Sequence, residues 1–457
     1  MLPRPTAGRF GQMFGLKAFL TIILVLLFFI PLQMVSSVIS ERSFRAKEVA
    51  REIAGKWAQA QLVQGPFLVI PGERVNPTSD KGEMQYRKVV LLPDAFIADA
   101  RIVAEERSRG IFDTVVYTTE VTLEGDFTAE TFARAGFEAE GWRLRLDQAA
   151  LALGISDLRG LQGDLSAAWA GDSLNTEPGL PSGALLPRSG IHWPLAGAVR
   201  PQEGGTGFAI TFPLRGSARL AFLPSGKRSQ VTMRGNWPSP SFDGHSLPVA
   251  HEVRADGFSA RWDVFHLSRP LPQSWSSDDV KGVDLRNLTL GASFLQTVDF
   301  YLLSQRSVKY GLLVVALLFL TFFLFEALAG VALHPLQYLM VGAALVLFFL
   351  SLVALAEVVG FAAAYALSAG LVAGMVAFYA AAVLKRRLWG GLLCVMVAAL
   401  YALIYLILNL EEAALLAGTL LLFAALGLTM YATRNIDWYN VGKTPPAQEK
   451  EGGEPVQ

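Results

Sequence analysis

One apolar run at residues 18–39, and five more after Lys309, constrain this chain more than any other feature. Each run is about long enough to cross a ~30 Å hydrocarbon core as a helix. In lipid a backbone must satisfy its own N–H and C=O groups, and a helix does so within one segment. Between the first run and the others, residues 41–309 contain no run long or apolar enough to span. The chain therefore reads as a membrane protein: one span, a large water-soluble insert, then five spans. Composition agrees, because 17% of residues are charged against roughly a quarter in soluble domains.

Lys+Arg and Asp+Glu both number 39, for a formal net charge of +0. That balance excludes a basic nucleic-acid-binding domain and an acidic tail for a basic partner. The single cysteine, Cys394, excludes an internal disulfide and cysteine-rich zinc or iron–sulfur sites. No cofactor is implied.

Arg4, Arg9 and Lys17 precede the first run, with no acidic residue before Glu41. A signal peptide has a shorter apolar region, about 7–15 residues, and a small-x-small cleavage site. An uncleaved helix over 18–39 is predicted instead. Further spans are predicted at 310–331, 338–355, 361–384, 388–410 and 413–431, with a polar tail over 432–457. The basic residues Lys385, Arg386, Arg387, Arg434 and Lys443 fall on the same side as the N-terminus, while Glu357, Glu411 and Glu412 fall on the other. Cytoplasmic segments carry the excess of Lys and Arg. Both termini, 1–17 and 432–457, are thus expected in the cytoplasm, with 40–309 outside it.

Within the insert, 41–64 reads as a helix continuing out of the membrane. Val49, Ile53, Trp57 and Ala60 share one face. Glu41/Arg45 and Glu52/Lys56 are i, i+4 pairs, and Gly65-Pro66 is expected to end it. A connecting helix packed on the domain is the plain reading; partner binding through Trp57 is the rival. Beyond Pro66 the pattern changes to strands at 67–70, 89–92, 97–103, 115–123, 142–146, 207–212, 218–222 and 230–233, punctuated by Gly, Pro, Asn and Asp. An antiparallel, β-rich, sandwich-like domain is expected, making the fold α+β. A weak echo links residues 121–127 to 231–237 and suggests two related halves.

Gly171-Asp172-Ser173-Leu174 spells the nucleophile block of the GDSL hydrolases, and Asp263-Val264-Phe265-His266 their Asp-x-x-His block. Ser173 would attack, His266 would take its proton and Asp263 would orient the imidazole. The context argues against it. Ser173 lies deep in a β-rich segment rather than after the first strand of an α/β domain, and a turn is the simpler reading. His245, His251 and His266 lack the tight spacing of a zinc site.

In the membrane, Glu326 stands inside the second span, about one and a half turns from its inner end. A charge there is costly unless paired, neutral or near water. His334, Pro335 and Tyr338 follow on the inner side, and Glu357 marks the outer end of the third span. A carboxyl tied to a neighbouring helix by hydrogen bonds is favoured over a proton- or ligand-responsive group. Gly370-x-x-x-Gly374 is expected to let the fourth helix approach a neighbour closely.

Taken together, these landmarks resemble the CreD family of bacterial inner-membrane proteins over most of the chain. The residues that carry the resemblance are Gly65-Pro66-Phe67-Leu68-Val69-Ile70-Pro71, then Asn236-Trp237-Pro238-Ser239-Pro240-Ser241-Phe242 with Gly244, Leu247-Pro248, Gly257-Phe258 and Trp262. The most specific stretch is Val308-Lys309-Tyr310, Phe325-Glu326, His334-Pro335-Leu336-Gln337-Tyr338, Glu357 and Gly360-Phe361, and Thr433-Arg434-Asn435-Ile436-Asp437-Trp438-Tyr439 is similar to the closing motif. The resemblance implies a multi-pass inner-membrane protein linked to envelope integrity under stress, with 40–309 periplasmic. It implies no reaction. The expected function is a non-enzymatic envelope protein whose periplasmic domain binds or senses an envelope component. Its expected partners are the lipid bilayer and an envelope component or another membrane protein. The alternative is a proton-coupled, permease-like transporter using Glu326.

Overall fold

The computed structural model describes residues 8–75, 83–134, 141–181, 189–199, 205–276, 285–294, 300–329, 333–383, 387–410 and 413–434. The chain forms two compact units, Met1–Arg45 with Val298–Gln457, and Ala46–Thr297. It opens with helices α1 (Gly8–Leu27) and α2 (Phe29–Trp57). Hydrogen bonds from Phe28 N to Leu24 O and from Leu32 N to Phe28 O carry the helix across the join. The break falls where Pro31, four residues on, lacks the N–H that would reach Leu27 O.

The Ala46–Thr297 unit is built on two sheets. Among the described residues, one has eight strands in the order Ala250–Arg254, Gly257–Phe265, Arg228–Gly235, Ala95–Arg109, Phe112–Phe127, Thr206–Ser217, Ser166–Trp169 and Asp172–Ser173. The other has ten. Ser241–Gly244, Leu290–Ser293, Arg219–Phe222, Gln61–Val75, Ala150–Ile155, Gly190–Pro194 and Glu177–Pro178 form its main path. Met84–Leu91, Ser274–Ser276 and Arg143–Leu144 branch from it. A short helix α3 (Ala129–Arg134) follows the long hairpin.

Alternation along the strands builds the core between the sheets. On Ala95–Arg109, Phe96, Ala98, Ala100, Ile102 and Ala104 are buried, while Ile97, Arg101 and Val103 are exposed. They meet Leu68, Ile70, Leu151 and Leu153 of the other sheet in one cluster. That second sheet is covered on its far face too, where Leu271, Trp275 and Leu288 pack on Phe67, Val69, Val90 and Ala152. Strands buried on both faces lose their alternation, so Phe67–Ile70 and Ala150–Ile155 are continuously buried.

The sandwich-like expectation matches this layout, with corrections. Two pairings are parallel, Gln61–Val63 with Leu220–Phe222 and Arg228–Gly235 with Ala95–Ile102. The echoing stretches at 121 and 231 lie in one sheet, on either side of Ala95–Arg109, and run in opposite directions. They are not counterparts from two halves. The connecting helix ends at Trp57, seven residues before its predicted end, and Gly65-Pro66 lies inside a strand. The register shifts there, between Gln64 and Phe67. Gly65 has φ 103°, which glycine tolerates. Proline is tolerated in a sheet at such an irregularity. The strand predicted at 142–146 is reduced to Arg143–Leu144.

Trp57 packs on the domain. The guanidinium groups of Arg107 and Arg215 lie over its ring, 5.1 and 4.3 Å from the centroid. Nearby, Asp157 accepts hydrogen bonds from Gln59 N (2.9 Å) and from Arg159 (2.9 and 2.7 Å). The Arg159 guanidinium holds the Asp157 carboxyl down at about 2. Arg159 also donates to Gly55 O at 2.6 Å, fixing the last turn of α2.

In the other unit, α4 (Phe300–Lys309), α5 (Gly311–Ala329), α6 (Pro335–Val359), α7 (Phe361–Val383), α8 (Arg387–Asn409) and α9 (Ala414–Thr433) follow in order. Five described helices are long and apolar enough to cross a membrane, and six if α4 and α5, bent by 41°, count as one broken span. Here α4 is a correction: the sequence reading ends the soluble domain at 309, whereas residues from Val298 on belong to the helical unit. Gly370 and Gly374 are another: a Cβ at either meets nothing within 4 Å. Their face of α7 is exposed, and Ala364, Ser368, Val372, Val376 and Ala380 form the packed stripe. Close approach occurs elsewhere. A Cβ on Gly342 of α6 would lie 2.2 Å from the Phe28 ring, and one on Gly390 of α8 would lie 2.6 Å from Ala381 Cβ.

Phe28 is itself wedged edge-on against Phe319, with centroids 5.8 Å apart, so it cannot retreat freely. Gly342→Ala should destabilise the protein by about 1–3 kcal/mol through overpacking. Gly370→Ala and Gly374→Ala should be neutral or slightly stabilising, since alanine is the better helix former by about 1 kcal/mol. Thermal unfolding of the three variants in detergent checks both statements.

Candidate functional site

Glu326 occupies the last turn of α5 and is 8% exposed. A carboxylate among Leu and Phe side chains needs a compensating charge and hydrogen bonds. Both are present. Lys17 Nζ, from α1, donates to Glu326 Oε1, and the Tyr338 hydroxyl, from α6, donates to Oε2 at 3.4 Å. Edge-on contacts with Phe319 and Phe322, at 5.4 and 6.1 Å, fix the Tyr338 ring. Two hollows of about 10 Å³ flank Tyr338, one lined by Lys17, Glu326 and Pro335, the other by Phe322, Val341 and Tyr379. Each is no larger than one water molecule, far below the roughly 300 Å³ of a small-molecule site. The geometry suits a clamp between helices rather than a substrate pocket.

His334 does not touch Glu326 through any hydrogen bond shown among the described residues; it stands at the start of α6. It caps α6: its Nδ1 accepts from Leu336 N at 3.2 Å, and Gln337 Oε1 accepts from His334 N at 2.9 Å. Pro335 takes the first helical position, where its missing N–H costs nothing.

Glu357, at the far end of α6, repeats the pattern. The Tyr301 hydroxyl, from α4, donates to its Oε1 at 3.0 Å, and Arg42 Nη1, from α2, lies 3.8 Å from its Oε2. Its side chain is 9% exposed. Lys17 and Arg42 sit at the two ends of the uncharged stretch 18–40, separated by about 37 Å of helix axis at 1.5 Å per residue. The hydrocarbon core is ~30 Å thick. Each end of the first membrane helix is therefore joined to the bundle by a cation, a carboxylate and a tyrosine. Sequence reasoning singled out both carboxylates and Tyr338 but not their other partners. In the sequence Lys17 is only a flanking charge, Arg42 carries no signal of its own, and Tyr301 falls in the stretch read as the soluble domain.

The hydrolase residues do not converge. Ser173 lies on an edge strand opposite Ala168, and Asp263 lies on the second strand from the other edge. Six inter-strand steps of about 4.8 Å put them roughly 25–30 Å apart. Asp263 accepts from Arg261 Nη2 at 3.0 Å, and His266 Nδ1 is buried without a hydrogen-bond partner. His245 Nε2 donates to Ser268 O at 2.8 Å, and the His251 ring packs on Phe242. Among the described residues no group of three or more His, Cys, Asp or Glu is placed to hold a metal.

A cleft of about 370 Å³ opens in the Ala46–Thr297 unit, floored by Val69, Pro71 and Ala150 and edged by Lys88, Asp147 and His192. Desolvation holds the Lys88 ammonium below the ordinary lysine value. Asp147 accepts both ends of the Arg145 fork at 3.0 and 2.9 Å. His192 Nδ1 donates to Gly179 O at 3.0 Å, and its Nε2 lies 3.4 Å from the Glu177 carboxylate. Among the described residues, no Phe, Tyr or Trp lines this cleft.

A family model described as Inner membrane protein CreD matches residues 13–439. The chain is 32% identical over 444 residues to the Inner membrane protein CreD of Escherichia coli (strain K12), covering 96% of this chain and 95% of that protein. Two crystal structures of an M1 zinc metallopeptidase from Deinococcus radiodurans are similar over 44% of this chain and 42% of theirs, at 13% and 12% identity. Their TM-scores of 0.22 carry no argument about fold or chemistry.

Removing one partner of a buried ion pair typically costs about 3–5 kcal/mol, because the other charge is left uncompensated. With the Lys17 side chain 28% exposed, Glu326→Leu should fall at the lower end of that range, and Glu326→Gln, which can still accept hydrogen bonds, should cost less. The double variant Lys17→Met/Glu326→Leu should be more stable than Glu326→Leu alone. Unfolding midpoints in detergent measure the cycle. Additive losses would mean that the two side chains do not interact.

Proposed function

The chain belongs to the CreD family of inner membrane proteins, and on that premise we propose that it supports bacterial envelope integrity without catalysing a reaction. Its Ala46–Thr297 unit lies in the periplasm and binds or senses an envelope component, while the helices anchor and orient it. The observation that carries this reading is the cleft of about 370 Å³. Its volume is within the range of small-molecule sites, and it is edged by charged and polar groups. The distance across the sheet between Ser173 and Asp263 supports a binding role over hydrolysis.

The topology follows from the same charges as before. Lys17–Trp57, the bent α4–α5 pair, α6, α7, α8 and α9 make six crossings. Six crossings return the C-terminus to the side of the N-terminus. Arg4, Arg9 and Lys17 share that side with Lys385, Arg386, Arg387 and Arg434, and the cytoplasm is the side favoured by Lys and Arg. A second reading, a proton-coupled carrier using Glu326, draws on the broken α4–α5 span, since interrupted helices mark transport sites.

Alkaline phosphatase fused after Ser276 should be active, and fused after Arg434 inactive; reversed activities reject the orientation. In a deletion strain, Ser173→Ala should restore envelope integrity, and removal of residues 66–300 should abolish rescue even when the helices insert. Rescue by the helices alone rejects the binding-domain reading. Glu326→Gln should also rescue; its failure at normal abundance favours the carrier.

A further inference from the structure

The buried stripe of α4 is made of Tyr301, Ser304, Ser307 and Val308, so three of its four inward side chains carry hydroxyls. The Tyr301 hydroxyl reaches Glu357 at 3.0 Å. Ser304 and Ser307 are completely buried, and their hydroxyls have no hydrogen-bond partner. Two further hydroxyls share this condition: Ser368 of α7, completely buried, and Tyr401 of α8, 1% exposed.

These groups lie at one depth. The Tyr301–Glu357 bond puts the start of α4 level with the end of α6. Gly360 alone separates α6 from α7, so α7 starts at that same level. Phe361 stacks on Tyr405 at 6.4 Å, and the Tyr365 hydroxyl donates to Tyr401 O at 2.9 Å, which aligns α8 with them. At 1.5 Å per residue, Ser304, Ser307, Ser368 and Tyr401 then fall about 6–12 Å below that common end. Helix α4 packs on both α6 and α8, and α7 packs on the same two helices. The layer sits just above the bend of 41° between α4 and α5.

A buried hydroxyl left unbonded costs about 1–3 kcal/mol, and four such groups at one level of a membrane unit are a concentrated penalty. Serine can also serve as a small residue that lets helices approach. That role needs no hydroxyl, and it does not account for Tyr401. We propose that this layer is a water-binding pocket in the membrane unit, entered from the Arg42–Glu357 end. Water supplies both donors and acceptors to the four hydroxyls. The pocket continues the polar path that begins at Glu357 and Tyr301 and stops at the aromatic floor formed by Phe348, whose ring lies 4.2 Å from that of Tyr401.

The single native cysteine makes a direct test practicable. In a Cys394→Ser background, Ser304→Cys, Ser307→Cys and Ser368→Cys are each near-isosteric. Membranes containing the full chain are treated with a small charged methanethiosulfonate. Only the thiolate reacts, and apolar surroundings suppress the thiolate. Leu371→Cys, on the exposed apolar face of α7, reports the rate in lipid, and Leu267→Cys, exposed in the β unit, reports the rate in water. At least two of the three serine positions should react about tenfold or more faster than Leu371→Cys. If Leu267→Cys reacts and the serine positions match Leu371→Cys, the layer is dry packing and the proposal fails. A variant that does not accumulate is replaced by the other two. This outcome is independent of envelope complementation, which tests the periplasmic domain.

Discussion

The membrane unit depends on how its first helix is held in register. An apolar helix in lipid has no hydrophobic reason to choose one axial position over another, because lipid tails are as apolar as leucine. Lys17 with Glu326, and Arg42 with Glu357, supply that reason. A slip of one turn, 5.4 Å, would break both pairs together and leave two carboxylates in a low-dielectric setting. The tyrosines refine the arrangement. Tyr338 and Tyr301 each donate to one carboxylate, so each pair ties three helices rather than two. Phe28, seated on Gly342 and against Phe319, then sets how closely the first helix approaches.

Much of this was readable beforehand, and the exceptions have physical causes. Glu326 and Glu357 stand out because a charge within or beside an apolar run is expensive wherever it lies. Lys17 and Arg42 are ordinary flanking bases in a sequence, and only the fold brings them within reach of carboxylates more than 300 residues away. Helix α4 was missed because its buried stripe is hydroxyl-bearing: Arg306 and Lys309 made it look like the tail of a soluble domain. Gly370 and Gly374 matched a spacing that permits close packing but does not compel it; neighbouring Val372 and Val376 were buried instead.

In the β unit, the doubly covered stretch Phe67–Ile70 reads as a strand in the sequence, whereas Ala150–Ile155 and the alternating Gly257–Phe265 do not. Ala150–Ile155 is rich in alanine, glycine and leucine, with no polar beat to mark it. Gly65-Pro66 was taken as punctuation, since neither residue suits a ladder; the register shift after Gln64 accommodates both inside a strand of 15 residues. Ser173, Asp263 and His266 show why a local motif was rightly set aside. Their local wording is right for a hydrolase, but wording carries no information about which sheet edge each residue will occupy.

The parallel pairing of Gln61–Val63 with Leu220–Phe222 has a consequence for biogenesis. The strand that leaves the first helix is among the earliest parts of the unit to be made, yet its partner on that side is synthesised about 160 residues later. At roughly 5–20 residues per second, that flank stays open for roughly 10–30 s. Antiparallel pairing of Leu68–Val75 with Met84–Leu91 closes part of the strand almost at once. The remaining edge is an adhesive surface during that interval, close to a bilayer and to other nascent chains. A chain of this design has to be made under the care of whatever shields unfinished sheets in its compartment.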